Sequence, residues 1–144
     1  QAQRDNGLVP IVSPLSADEN GTVLNINADT VAAALATSLR ASKLILTMGA
    51  PGILEDRHDA SSLVSYLDLD DLQELRANGS LAEGMLPKAR AIEAAIKGGV
   101  PRVHLISYKI PDSLLLEIFT NEGTGTLVVE DTDTLTPEEQ EAGA

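Results

Sequence analysis

A chain of 144 residues with a net charge of −12 is long enough for one self-sufficient core and too acidic for a nonspecific nucleic-acid binder, which needs clustered Lys and Arg. Aromatics make up 2% of the residues, so the core must be built of Leu, Ile, Val and Ala, and helices packed on an aliphatic sheet are expected. With no cysteine, disulfides and thiolate metal sites are excluded, and no apolar run approaches the ~18 residues of a transmembrane helix. A reducing cytoplasm is the expected setting, with neither membrane nor nucleic acid as a partner.

The opening residues Gln1–Gly7 do not read as a signal peptide; they read as a chain picked up in mid-fold. Leu8–Val12 is a short apolar run and predicts a buried strand, with Pro10 at the edge of its ladder. Asp18-Glu19-Asn20-Gly21 predicts a hairpin turn, since Asn-Gly is its strongest short signal. An Ala-rich helix is expected from Thr30 to about Arg40, followed by a second buried strand over Lys43–Met48 and a tight turn at Gly49-Ala50-Pro51-Gly52. Leu69, Leu72 and Leu75 share one face of a helix over Asp68–Asn78, which Asn78-Gly79 stops.

A longer helix begins near Leu86-Pro87, with Pro in its first turn; Ala91, Ile92, Ala95 and Ile96 recur at helical spacing, and Gly98-Gly99 end it. Val103–Ile106 predicts a third strand, Ser113–Phe119 a short helix and Thr126–Val129 a last strand. Alternation of this kind predicts an α/β fold with a mainly parallel sheet flanked by helices, in which ligands bind beyond the carboxyl ends of the strands. One folded domain is expected over residues 1–130. An acidic tail follows over 131–144, where Asp131, Asp133, Glu138, Glu139 and Glu141 meet no Lys or Arg, and it is expected to be disordered.

Three stretches suit chemistry. In Asn25-Ile26-Asn27-Ala28-Asp29 an extended backbone would turn Asn25, Asn27 and Asp29 toward one cleft, although the same residues also read as a turn and a helix cap. Asn78-Gly79-Ser80-Leu81-Ala82-Glu83-Gly84 leads into a helix carrying Lys88, a plausible phosphate cradle. It lacks the P-loop spacing, and an ordinary helix start explains it as well. Gly49–Leu54 would let an adenine or ribose approach the backbone, or is simply a strand-to-loop turn. His58 reads as a solvated loop residue and His104 as structural. Two histidines this far apart do not suggest zinc, and no metal ligand set is expected.

Taken together and in order, Leu24–Ala32, Pro51–Leu54, Gly84–Lys88, and Leu114–Thr120 with Gly123–Thr126 resemble the C-terminal half of acetylglutamate kinase, a member of the amino-acid kinase family. The resemblance runs from about Leu8 to Val129. It implies phosphoryl transfer from Mg²⁺-bound ATP to the side-chain carboxylate of N-acetyl-L-glutamate in arginine biosynthesis. By the same resemblance, Lys88 would stabilise the transferring phosphoryl group, Asp29 would organise active-site lysines, and Asn25 would contact the acyl-amino-acid substrate. Gly49, Ala50, Pro51, Gly52, Ile53 and Leu54, with Ser80, Leu81 and Ala82, would hold ATP.

Glu117 and Gly123 match residues tied to arginine feedback inhibition, so arginine is an expected effector, although Asp112 stands where arginine-regulated members carry His. Gly49 and Met48 also depart from the family, which usually has Asp and Ser or Thr there. The resemblance further implies an N-terminal half with a glycine-rich phosphate site, a second Lys and a substrate-binding Arg, supplied by the missing half or by a partner in an oligomer. The residues from Gln1 onward are therefore expected to show little kinase activity by themselves. The competing expectations are a nucleotide- or arginine-binding regulatory domain without chemistry, and a kinase of a related amino-acid substrate.

Overall fold

The computed structural model describes residues 6–56, 58–59, 61–81, 83–120 and 123–135. Ala82 and the tail from residue 136 onward lie outside the described residues, as do the first five. Strands β1 (Leu15–Ala17) and β2 (Val23–Asn25) form an antiparallel hairpin. Its turn is the expected one: Asp18 Oδ1 accepts from the N–H groups of Asn20 and Thr22, and Gly21 takes φ +82°, a conformation glycine adopts without strain.

Helix α1 (Ala28–Leu39) then leads to β3 (Leu44–Met48). The short strand β4 (Tyr66–Leu67) precedes α2 (Leu69–Ala77), which Asp68 caps by accepting from Asp71 N at 2.8 Å. A 3₁₀ turn over Glu83–Met85 runs straight into α3 (Leu86–Lys97), and β5 (Val103–Ser107), α4 (Ser113–Phe119) and β6 (Thr126–Val128) complete the order.

The sheet is ordered β3-β5-β6-β4. β3 runs parallel to β5 and β4 parallel to β6, while β5 and β6 are antiparallel. The α/β class and the mainly parallel pairing expected from the sequence are present, with one antiparallel junction in the middle.

The core lies between this sheet and helices α1 and α3. Ala33 and Ala36 of α1 face Ala91, Ile92, Ala95 and Ile96 of α3, above Leu46, Val103, Leu105 and Val128. Small residues on both helices let them approach closely, which brings the start of α1 beside the start of α3. A second, smaller cluster joins Leu127, Val129 and Leu135 to Tyr66, so the packed body reaches at least to Leu135, inside the segment expected to be disordered.

Two expectations need correction. Leu8–Val12 is not a strand: it has no ladder among the described residues, and Ile11 is 99% exposed. An apolar run becomes a strand only beside a partner, which composition alone does not supply. β4 was not expected, because two residues are too short to show a period. It forms because the N–H groups of Leu127 and Val129 donate to the carbonyls of Ser65 and Leu67.

Candidate functional site

The parallel strands β3 and β5 end on the same side, and the chain leaving β3 folds back there through residues 49–54. A cavity of about 130 Å³ opens at this end, lined by Met48, Ala50, Gly52, Ile53 and Leu54 from one stretch and by Ser80, Leu81 and Met85 from the other. The two stretches singled out in the sequence therefore meet. Gly49 and Pro51 belong to the same turn but not to the cavity wall. The wall is held by Thr126, whose hydroxyl accepts from Ile53 N at 2.9 Å and donates to the carbonyl of Val64 at 2.7 Å.

Gly52 has a packing reason that the sequence did not show. A Cβ there would come within 2.5 Å of Thr126 Oγ1 and 2.7 Å of Leu63 Cδ1. Its bare face is filled by the protein itself.

Met85, the N-cap of α3, makes no side-chain hydrogen bond to that helix's first N–H groups. Lys88 follows within the first turn of α3, and its ammonium donates to Asp29 Oδ1 at 2.7 Å. Both side chains are more than four-fifths buried. Asp29 itself sits in the first turn of α1, where the helix dipole favours a carboxylate. The catalytic pair expected from the sequence is thus brought together across 59 positions, and one turn of α3 separates Lys88 from the cavity wall.

Asn25 lies exposed at the end of β2. Asn27 does not join it in a shared cleft. Its carboxamide oxygen accepts from Asp29 N and Thr30 N, capping α1. Alternation of side chains holds only while the backbone stays extended, and the chain turns helical at Ala28.

A larger groove of about 490 Å³ lies between α1 and α3, lined by small residues such as Ala33, Ala34 and Ala94 together with Arg90. Neither Lys88 nor Asp29 lines either cavity; the smaller one is the one whose wall includes Met85, one turn of α3 before Lys88.

On the other face, His104 of β5 and Glu117 of α4 are buried together, with Nδ1 to Oε1 at 2.7 Å. Glu117 Oε2 accepts from Thr124 N at 2.7 Å. A Cβ on Gly123 would come within 3.0 Å of that same oxygen, and the residue has φ +62°, so glycine is required there on both counts. His104 is the residue that sequence reasoning undervalued. Nothing in the spacing signals a partner thirteen positions away on another element, and its Nε2 has no partner in the buried interior.

Burial alone would raise the Glu117 carboxyl, but the hydrogen bonds from His104 and Thr124 outweigh it and hold the group below its ordinary value of 4.5. The folded-state value being the lower one, the stabilisation is present above pH 4.5 and is lost as pH falls through the folded value. Glu117→Gln should therefore be less stable than wild type at neutral pH. The gap between their denaturation midpoints should close as pH drops below 4.5, and a gap that persists unchanged into acid would contradict this.

The fold points to a class, which the family comparison makes explicit. The model of the Amino acid kinase family matches residues 1–107, and the chain belongs to that family. It is 48% identical over 127 residues to the acetylglutamate kinase of Methanococcoides burtonii, covering 88% of this chain and 42% of that protein. Against the acetylglutamate kinase of Myxococcus xanthus it is 51% identical over 126 residues, covering 88% and 41%. The chain thus spans about two-fifths of the length of the curated relatives it matches.

Among solved structures, N-acetylglutamate synthase from Neisseria gonorrhoeae complexed with coenzyme A and L-arginine superposes with a TM-score of 0.81. It is 29% identical and covers 90% of this chain and 30% of that one. Carbamate kinase from Giardia lamblia, at 20% identity and a TM-score of 0.60, shows the shared fold alone.

Proposed function

We propose that these residues are the ATP-holding part of an acetylglutamate kinase, which passes the γ-phosphoryl group of ATP to the side-chain carboxylate of N-acetyl-L-glutamate in arginine biosynthesis. The observation that carries the reading is the Lys88–Asp29 pair one helical turn from the cavity wall formed by residues 48–54 and 80–85. Identities of 48% and 51% to acetylglutamate kinases support the substrate. Because those relatives are more than twice as long as the matched region, the activity is proposed for the whole protein to which these residues belong.

In this reading residues 1–130 act as one nucleotide-binding domain, and a cytoplasmic setting goes with small-molecule biosynthesis. Among the described residues no helix is long and apolar enough to cross a membrane.

Phosphoryl transfer asks mainly for positioning and charge compensation. Lys88 supplies a cation whose direction Asp29 fixes, and the N–H groups at the start of α3 add a fixed positive field. The apolar wall of Ile53, Leu54 and Leu81 suits a flat base, with Gly49, Ala50, Pro51, Gly52, Ser80 and Ala82 completing the ATP contacts. Asn25 contacts the acyl-amino-acid. Mg²⁺ neutralises phosphate charge when bound. Among the described residues no three acidic or histidine side chains gather as a metal site.

The test is ADP release by the intact protein with N-acetyl-L-glutamate, compared with other amino-acid carboxylates. Release confined to another acid would change the substrate, and none with any acid would remove the kinase reading.

A second reading adds arginine as an effector at Glu117 and Gly123. It is favoured by the buried carboxylate held against Gly123 beside His104, in a chain that superposes on a synthase solved with L-arginine. Free arginine that leaves the melting midpoint unmoved would remove it.

A further inference from the structure

The turn after β5 places two side chains that the family reading does not use beside Gly49, in the turn that supplies part of the cavity wall. Tyr108 N donates to the carbonyl of Met48 at 3.0 Å, which extends the β3–β5 pairing one step past the strands and locks the two loops together. A Cβ built on Gly49 would lie 3.0 Å from Tyr108 Oη, 3.5 Å from its Cζ and 3.8 Å from Lys109 Cε. The tyrosine hydroxyl therefore rests on the bare face of Gly49, between Met48 and Ala50, two residues of the cavity wall. The rest of the ring is open to solvent, with Tyr108 69% exposed. In a chain with only two tyrosines, one phenylalanine and no tryptophan, an exposed aromatic fixed at the ligand end of the sheet asks for an explanation.

The cavity itself points the same way. At about 130 Å³ it is well below the ~300 Å³ at which sites that enclose a small molecule begin. A space of that size has room for about one ring, so the remainder of a larger ligand would extend beyond it. Its lining is apolar apart from Ser80, so polar groups that orient the ligand have to come from its rim. Tyr108 offers a hydroxyl that both donates and accepts, and the exposed Lys109 offers a mobile cation. A ring slot flanked by a hydroxyl and a cation suits a nucleoside polyphosphate.

We propose that Tyr108 and Lys109 form the outer wall of the nucleotide subsite, Tyr108 contacting base and ribose and Lys109 a phosphate, in the space that a side chain on residue 49 would otherwise occupy. The assignment rests on the nucleotide reading above and adds to it the residues that recognise the ligand. It also bears on Gly49, since a side chain at that position would press on the Tyr108 hydroxyl and displace the ring.

Calorimetric titration of the protein with Mg·ATP, Mg·ADP and adenosine tests this. Tyr108→Ala should bind all three about tenfold more weakly, the loss expected for one stacking or hydrogen-bonding contact. Lys109→Met should weaken ATP and ADP severalfold and leave adenosine unchanged. Gly49→Asp, which displaces the ring, should weaken ATP about as much as Tyr108→Ala. The double variant Gly49→Asp/Tyr108→Ala should be no weaker than either single one, the coupling expected of two changes to one contact. Because Tyr108 is exposed, its loss leaves the core intact, and unchanged melting midpoints would verify that. Wild-type binding that Tyr108→Ala leaves unaltered, or losses that simply add in the double variant, would overturn the proposal while keeping the nucleotide reading. A wild-type protein that binds neither ATP nor ADP would remove both.

Discussion

Replacing Lys88 with Met should lower the proposed kinase turnover of the intact protein by about 10²–10³-fold, the range seen when one preorganised donor to a developing charge is removed. The KM for ATP should change far less. The asymmetry follows from where the charge appears. Bound ATP already has its charge compensated, whereas the phosphoryl group in flight spreads new charge over its oxygens, and an ammonium aimed at it acts mostly on that state. The direction of Lys88 is fixed, because Asp29 holds it at 2.7 Å with both side chains largely buried.

Lys88→Arg should not restore the rate: a planar guanidinium cannot present the same single point of charge while paired with Asp29. The stability cost of Lys88→Met should be about 1–3 kcal/mol, since it leaves the largely buried Asp29 without its partner while the N-terminal dipole of α1 offsets part of that loss. Steady-state kinetics beside a denaturation curve separate the two effects. A turnover within a few fold of wild type would remove Lys88 from the chemistry.

The helices and three of the strands were legible because each has a period or a cap that acts locally. Leu69 and Leu72 recur on one face of α2 and are buried, Asp68 caps it, and Pro87 sits in the first turn of α3. What was not legible depends on groups distant in the chain. Leu8–Val12 has the composition of a strand but no neighbour to pair with. Asn27 looks like a member of a polar row until α1 begins and turns its side chain back to the helix N–H groups. His104 and Glu117 are paired only because α4 packs over β5, and the Tyr108 hydroxyl reaches the turn after β3 only because Gly49 there has no side chain. In the site itself, the pairing of Lys88 with Asp29 was implied by resemblance and by no spacing rule. Its geometric cause is the close crossing of α1 on α3, which alanines at 33, 36, 91 and 95 permit.

Gly125→Ala should be the most damaging single-methyl change in the chain for stability, costing about 3 kcal/mol or more, the range for overpacking where nothing can yield. A Cβ on Gly125 would overlap the carbonyl oxygen of Leu105 and lie 2.9 Å from that carbonyl carbon and 3.2 Å from Ile106 Cα. All three are backbone atoms of β5, in residues 0% and 1% exposed, so relief requires parting β6 from β5 at the Leu105–Thr126 pair.

The consequence reaches the site. Thr126 is the next residue, and its hydroxyl ties Ile53 N to the carbonyl of Val64. Moving it releases the turn that forms the cavity wall, so nucleotide affinity should fall together with stability. Gly84→Ala is the control, because nothing lies within 4 Å of the added Cβ, and its effect should stay within about 0.5 kcal/mol. Urea denaturation of both variants measures the difference. A Gly125→Ala protein as stable as Gly84→Ala would mean that β5 and β6 are not held as closely as described, and that the cavity wall takes its rigidity from somewhere other than Thr126.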